Sequence, residues 1–237
     1  MSGTLEKRIE ALDWQILEDE LWELGYAKTP PVLTPAECHA LAGLYRQGEY
    51  FRKRVVMERH GYGLGEYQYF SEPLPPLVHG LRTRFYPHLA LIANRWMAAL
   101  GSTDCYPEDL ERFLELCRTH GQLASTPLLL HYPTGGYNCL HRDLYGDVAF
   151  PLQLTCFLSE HGEDYTGGAF ILVEQRPRAQ SYGESIITEQ GEILIFPTQY
   201  RPVKGTRGYR KTSIRHGVSR VTAGSRDTLG VIFHNAK

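Results

Sequence analysis

No run in this chain approaches the about eighteen apolar residues that mark a membrane-spanning helix; its most hydrophobic stretch, LALIANRWMAAL, is broken by Asn94 and Arg95. No membrane association is therefore expected. None of the five cysteines stands in a Cys-x-x-Cys pair, which argues against a zinc knuckle or disulfide framework and for a reducing compartment. The opening MSGTLEKRIEALDW mixes charges and has no apolar core of signal-peptide length, so a cytoplasmic location is the expectation. Internal repeats, linkers and low-complexity tracts are missing too. With 42% hydrophobic and 22% charged residues, 237 residues suffice for one domain with a substantial core, and 1–237 reads as a single unit.

Acidic residues are absent from one long segment. From Ile193 to Arg226 there is no Asp or Glu but eight basic residues, leaving 25 − 8 = 17 basic against 27 acidic residues, a balance of −10, elsewhere. Segregated charge of this kind steers anionic partners. Segment 201–220 is thus a candidate nucleic-acid contact, with a merely solvated strand-and-turn region as the alternative. Nothing points to an obligate protein partner.

The first half of the chain is helical in pattern. Leu5, Ile9, Leu12 and Ile16, widened by Leu17, Leu21 and Leu24, predict one amphipathic helix over 5–24, stopped by Gly25. Thr34-Pro35-Ala36-Glu37 is a capping box with Pro at the first helical position, and its helix should reach about Gln47. Residues 50–72 read as strand, glycine-rich turn and strand. Gly61-x-Gly63-x-Gly65 has the wrong spacing for a phosphate loop. This hairpin is either a lid whose Tyr62, Tyr67 and Tyr69 face a substrate, or an ordinary hairpin packing tyrosines. Leu77 to Leu100 repeat at helical spacing, with Pro87 expected to kink or split the helix. Another helix follows Pro107 and ends near Gly121.

From Pro127 the pattern turns to β. About eight short segments, from PLLLHY to DTLGVIFH, are separated by turn residues such as Gly135-Gly136 and Gly167-Gly168. The expected architecture is α+β: a jelly roll, or double-stranded β-helix, over 127–237, braced by mainly helical residues 1–121.

Within that half stands His141-Arg142-Asp143. On an extended segment a His and an Asp two residues apart face the same side. With the distant His216 they make two imidazoles and one carboxylate, the donor set that suits non-haem Fe(II) and leaves positions open. Ten residues after His216 comes Arg226, then Thr228 two further on. A guanidinium fork and a hydroxyl at period two on one strand form an anchor for a carboxylate.

HRD (141–143), TGGAF (166–170), GEILIF (191–196), HGVSRVTAGSRDTLGVIF (216–233) and the lead-in Tyr132-Pro133-x-Gly135 together resemble the Fe(II)/2-oxoglutarate-dependent oxygenases, in that family's order. The closer likeness is to a prokaryotic group presumed to demethylate alkylated DNA, in DNA repair. The resemblance implies Fe(II) on His141, Asp143 and His216, and 2-oxoglutarate on Arg226 and Thr228, with Tyr132 donating to it and Asn138 orienting a ligand. It also implies O2 as oxidant and ascorbate as reductant. Decarboxylation of 2-oxoglutarate to succinate and CO2 would accompany hydroxylation of a substrate C–H bond, and an N-methyl group so hydroxylated would leave as formaldehyde. The Tyr-x-x-Gly lead-in fits a peptide or small-molecule hydroxylase equally. Outside enzymes, the alternative is an inactive jelly-roll binding module. His131, His161 and His234 fall outside the pattern.

Overall fold

The computed structural model describes residues 3–176 and 178–237. Among the described residues, five α-helices occupy the first half: α1 (Leu5–Glu10), α2 (Trp14–Glu23), α3 (Pro35–Leu44), α4 (Pro76–Ala99) and α5 (Leu110–Thr119). The single helix expected over 5–24 is two. Asp13 accepts a hydrogen bond from the Ile16 amide and so starts α2 afresh, while the Ala11 amide turns back to Lys7 and ends α1. Trp14 bridges the break by donating Nε1–H to the Ile9 carbonyl. Helix α3 opens on the expected capping box but stops at Leu44, short of Gln47.

Pro87 does not split α4. An interior proline costs about 3 kcal/mol. Its neighbours Phe85, Tyr86 and Leu89 are fully buried, each contributing about 1.5–3 kcal/mol. Packing on both sides of the proline outweighs the lost hydrogen bond.

The described residues form fourteen strands in chain order: β1 (Ala27–Lys28), β2 (Phe51–Val56), β3 (Gly63–Leu64), β4 (Glu66–Phe70), β5 (Leu128–Pro133), β6 (Tyr137–His141), β7 (Leu152–Phe157), β8 (Tyr165–Gly167), β9 (Phe170–Gln175), β10 (Tyr182–Ile186), β11 (Ile193–Pro197), β12 (Tyr200–Gly205), β13 (Gly208–Val218) and β14 (Val221–Val231). The larger sheet runs β1-β11-β7-β14-β5-β4-β2, with β8 on β14; the smaller runs β10-β9-β13-β6-β3, with β12 on β13. This is a double-stranded β-helix. Helix α4 and its neighbours cover the larger sheet, where Trp96, Phe85, Phe150 and Phe233 share the main core. Between the sheets, Phe157, Phe170, Phe196 and Ile214 fill one end of the sandwich.

The 50–72 segment is sewn into both sheets. β2 pairs with β4, β4 extends the larger sheet through β5, and β3 crosses to β6 of the smaller one. At the crossing, Gly63 (φ 138°) lies so close to β6 that a Cβ would sit 2.2 Å from the Tyr137 carbonyl oxygen. Only glycine permits that approach.

Candidate metal and co-substrate site

β6 ends on His141, and Asp143 follows two residues later, outside any strand. His216 lies directly across from His141 in the β13–β6 register. Two carboxylate contacts result: His216 Nε2 to Asp143 Oδ2 at 3.2 Å and His141 Nε2 to Asp143 Oδ1 at 3.6 Å. Among the described residues this trio is the one group of potential metal ligands whose donor atoms gather, all within 4.8 Å.

The surroundings prepare each donor. His141 places Nδ1 2.8 Å from the Cys139 carbonyl, which fixes the proton there and leaves Nε2 free for a metal. Burial pushes the Asp143 carboxyl upward, but the neighbouring His141 charge and the His216 hydrogen bond take it well below the ordinary carboxylate range. His216 stacks on Phe170 and meets Phe196 edge-on. Burial, then the His141 charge, lowers its pKa and favours the neutral imidazole. An ionised Asp143 and a neutral His216 are forms that bind a divalent metal, and two His with one carboxylate suit Fe(II).

The second half of the site stands on β14. Arg226 and Thr228 point inward, opposite Tyr132 and Leu130 of β5. Arg226 is 1% exposed, yet its three guanidinium nitrogens make no hydrogen bond among the described residues. It lies among the rings of Phe157 (5.3 Å), Tyr132 (5.4 Å) and Tyr165 (6.0 Å). Burial pushes the Tyr132 phenol up to about 12 against the pull of the Arg226 charge. Removing one partner from a buried charge pair costs about 3–5 kcal/mol, so a buried fork without an acceptor fits an anionic ligand far better than a scaffold.

One cavity of about 620 Å³ joins the two halves, within the roughly 300–1,000 Å³ usual for small-ligand sites. The metal trio, Arg226, Thr228 and Tyr132 all line it. Asn138 does too, donating to the Tyr132 hydroxyl at 3.2 Å. Tyr67 and Tyr69 form a wall, packed edge to face at 5.4 Å, while Tyr62 is half exposed at the mouth. A groove of about 680 Å³ runs along the helical side, but its lining mixes acidic and basic groups such as Glu6, Glu10, Arg84 and Arg118 and gathers no ligand trio.

The motif search missed three residues of this cavity. Tyr145 donates to Asp143 Oδ1 at 2.8 Å and receives the Tyr69 hydroxyl at 3.2 Å. Its signal was present, since His141-x-Asp143-x-Tyr145 continues the period of two. Gln153 and Thr155 also line the cavity, from a β7 that is buried throughout. Polar residues at alternate positions in such a strand mark an inner wall.

Of the basic segment, Arg201 does not face outward. It is buried against Glu174 at 2.8 Å and donates to the Trp22 carbonyl at the end of α2. Lys204, Arg207, Arg210, Lys211, Arg215 and Arg220 are exposed. Arg142 lines the cavity and reaches back to the Ile214 carbonyl of β13.

Comparison with known proteins agrees with this geometry. The family Oxygenase-NA, described as an oxygenase catalysing oxidative methylation of damaged DNA, matches residues 65–236. Two uncharacterized Mycobacterium tuberculosis proteins, MT2286 of strain CDC 1551 and Rv2227 of strain H37Rv, are each 45% identical over 167 residues, 70% of this chain and 72% of theirs. Among solved structures, a Pseudomonas putida prolyl-4-hydroxylase matches with a TM-score of 0.58 at 14% identity, covering 94% of this chain and 100% of that one. The epimerase SnoN of nogalamycin biosynthesis gives 0.55 at 14%, covering 92% and 81%. A Trichoplax adhaerens prolyl hydroxylase gives 0.53 at 13%, covering 99% and 94%. Such identities speak to the fold. The chain belongs to the Oxygenase-NA family.

Proposed function

We propose that this dioxygenase hydroxylates an N-alkyl group on a nucleic-acid base, releasing the alkyl carbon as an aldehyde. The observation that carries the reading is the shared cavity: a metal-ligand trio at one side, a buried unpaired guanidinium at the other, and an aromatic wall facing the space between. The family description, which names damaged DNA, supports the substrate class.

When bound, Fe(II) would be held by His141, Asp143 and His216 and, with 2-oxoglutarate and O2, would supply the oxidation of a C–H bond, leaving succinate and CO2. Arg226 grips the far carboxylate of 2-oxoglutarate with its planar fork, and Thr228, two residues on, adds a neutral donor. Tyr132, held by Asn138, presents its hydroxyl to the same ligand. Tyr145 holds one oxygen of Asp143, so the carboxylate cannot swing. Phe170 and Phe196 keep water from the His216 side. Tyr67 and Tyr69 offer faces on which a flat base stacks, and Tyr62 closes over it at the mouth. Hydroxylation of an N-methyl carbon gives a hemiaminal, which splits to formaldehyde and the free amine.

A peptide or small-molecule substrate is the second reading. It is favoured by Tyr132-Pro133-x-Gly135 and by the prolyl hydroxylases among the fold's relatives. Anaerobic reconstitution with Fe(II) and 2-oxoglutarate, followed by O2, separates the two. Succinate formation that vanishes in His141→Ala establishes the site. Stimulation by methylated single-stranded DNA with stoichiometric formaldehyde supports the base substrate; turnover indifferent to that DNA rejects it.

A further inference from the structure

Helix α2 reaches the outer face of the smaller sheet at Tyr209, whose ring lies 5.3 Å from that of Trp22, and α4 reaches it at Tyr200 through Met97; the chemistry of the rest of that face can be read from the register. On β13, Thr212, Ile214 and His216 are buried and point inward, so Lys211, Ser213 and Arg215 point outward. Pairing sets Arg215 beside Val173, Ser213 beside Gln175 and Tyr200, and Lys211 beside Pro202; Lys204 lies beside Tyr209. Glu174 and Glu184, the carboxylates of β9 and β10, pair with Ile214 and Leu172 and fall on the inward face.

The outward face therefore carries cations, two tyrosines and small or apolar groups, with no carboxylate from its own strands. None of Lys204, Lys211, Arg215 and Arg142 makes an ion pair among the described residues. Lys211 instead sits over the Tyr200 ring at 4.5 Å. From Tyr209 to Arg215 the strand covers about 20 Å at roughly 3.3 Å per residue. Arg142 continues the row, since its guanidinium bonds to the Ile214 carbonyl and Gln175. Arg142 also lines the cavity, one residue from each of two metal-ligand positions. Beside it, Leu140 (42% exposed) and Leu144 (41%) form an apolar rim.

We propose that this face is a track for the phosphodiester backbone of a single strand, running from the β12–β13 hairpin over Lys211 and Arg215 to Arg142, where one base turns over the apolar rim into the cavity. The inference rests on the nucleic-acid reading above and adds where the strand lies. A row of cations without competing acids selects a polyanion. A single strand is favoured because a base must leave its stack to reach a buried centre.

The test uses the full-length protein and a labelled, unmethylated oligothymidylate, with binding followed by fluorescence anisotropy over a range of salt. Four phosphate contacts predict a slope of log K against log salt of about −2.8, from roughly −0.7 per contact. In Lys211→Ser/Arg215→Ser the slope should fall to about −1.4 and affinity at least tenfold. Succinate formation without substrate should not change, since neither residue touches the metal or co-substrate site. Arg84→Ser/Arg112→Ser, on the helical side, should bind as wild type.

If Lys211→Ser/Arg215→Ser binds and demethylates a methylated oligonucleotide as well as wild type, the track is wrong while the base substrate stands. Equal loss in the helical-side variant, or equal competition by polyglutamate, also overturns the track by reducing it to net charge. If wild type neither binds the oligonucleotide at low salt nor releases formaldehyde from it, while still forming succinate, both the track and the base substrate fail.

Discussion

Replacing Arg226 by Met tests the co-substrate site most directly. The change keeps a long side chain among Phe157, Tyr132 and Tyr165 but removes the fork. Two charge-assisted hydrogen bonds to a carboxylate contribute about 1.5–3 kcal/mol each. Their loss predicts 2-oxoglutarate binding weakened by about 10²- to 10⁴-fold. The metal trio is untouched, so Mn(II) affinity in titration calorimetry should stay within about threefold of wild type. Stability without co-substrate should hold or rise, because exchanging a buried ion for an apolar side chain is often neutral or stabilising by about 1–4 kcal/mol. Wild type with Mn(II) and 2-oxoglutarate at one hundred times Kd should gain about 2.7 kcal/mol. At about 2–4 °C per kcal/mol for a chain of this size, its Tm rises by roughly 5–10 °C, and that of Arg226→Met does not move. A stably folded Arg226→Met that binds 2-oxoglutarate nearly as well as wild type refutes the assignment.

Three further outcomes follow from single contacts. Tyr145→Phe removes the hydrogen bond on Asp143 Oδ1 and should weaken Mn(II) binding by about 10- to 100-fold, as such outer partners of metal ligands do; unchanged affinity would make Tyr145 a packing residue only. Gly63→Ala places a methyl 2.2 Å from the Tyr137 oxygen and should lower urea stability by more than about 2 kcal/mol, with the m-value unchanged; a neutral effect would mean β3 does not bind β6 tightly. His131 donates to Asp227 at 2.7 Å, and that hydrogen bond, against burial, raises its pKa above the ordinary 6.5. The pair's contribution is then fully present below pH 6.5 and lost as pH rises through the raised folded value. Both groups are partly exposed, so the effect is below about 1 kcal/mol; an equally large pH dependence in His131→Gln would refute the linkage.

Much of the site was legible because β structure translates spacing into direction. His141 with Asp143, and Arg226 with Thr228, are both pairs at period two, and the structure lines one cavity with all four. Long-range meetings left no such trace. The pairing of His216 with His141 depends on a register set by β6, a strand hidden behind Gly135-Gly136 and read only as turn and motif. Asp13 looked like one more polar position on a helix, because a cap and a solvent-facing Asp are alike in pattern. Pro87 pointed to a kink or a split, and α4 runs on unsplit: the local cost was plain, and the packing that offsets it comes from distant strands. The basic segment likewise could not reveal that Arg201 meets Glu174 across the smaller sheet.

The crossing of β3 onto β6 makes the mouth of the cavity and its metal-binding floor one mechanical part. The Cys139 amide donates to the Tyr62 carbonyl at 2.8 Å, and the Cys139 carbonyl in turn holds the His141 imidazole. The backbone of Tyr62 is therefore joined to the His141 ring through a single residue, Cys139. The rim at Tyr62 and the ring of His141 are thus tied together within the fold itself, with no domain closure needed to couple them.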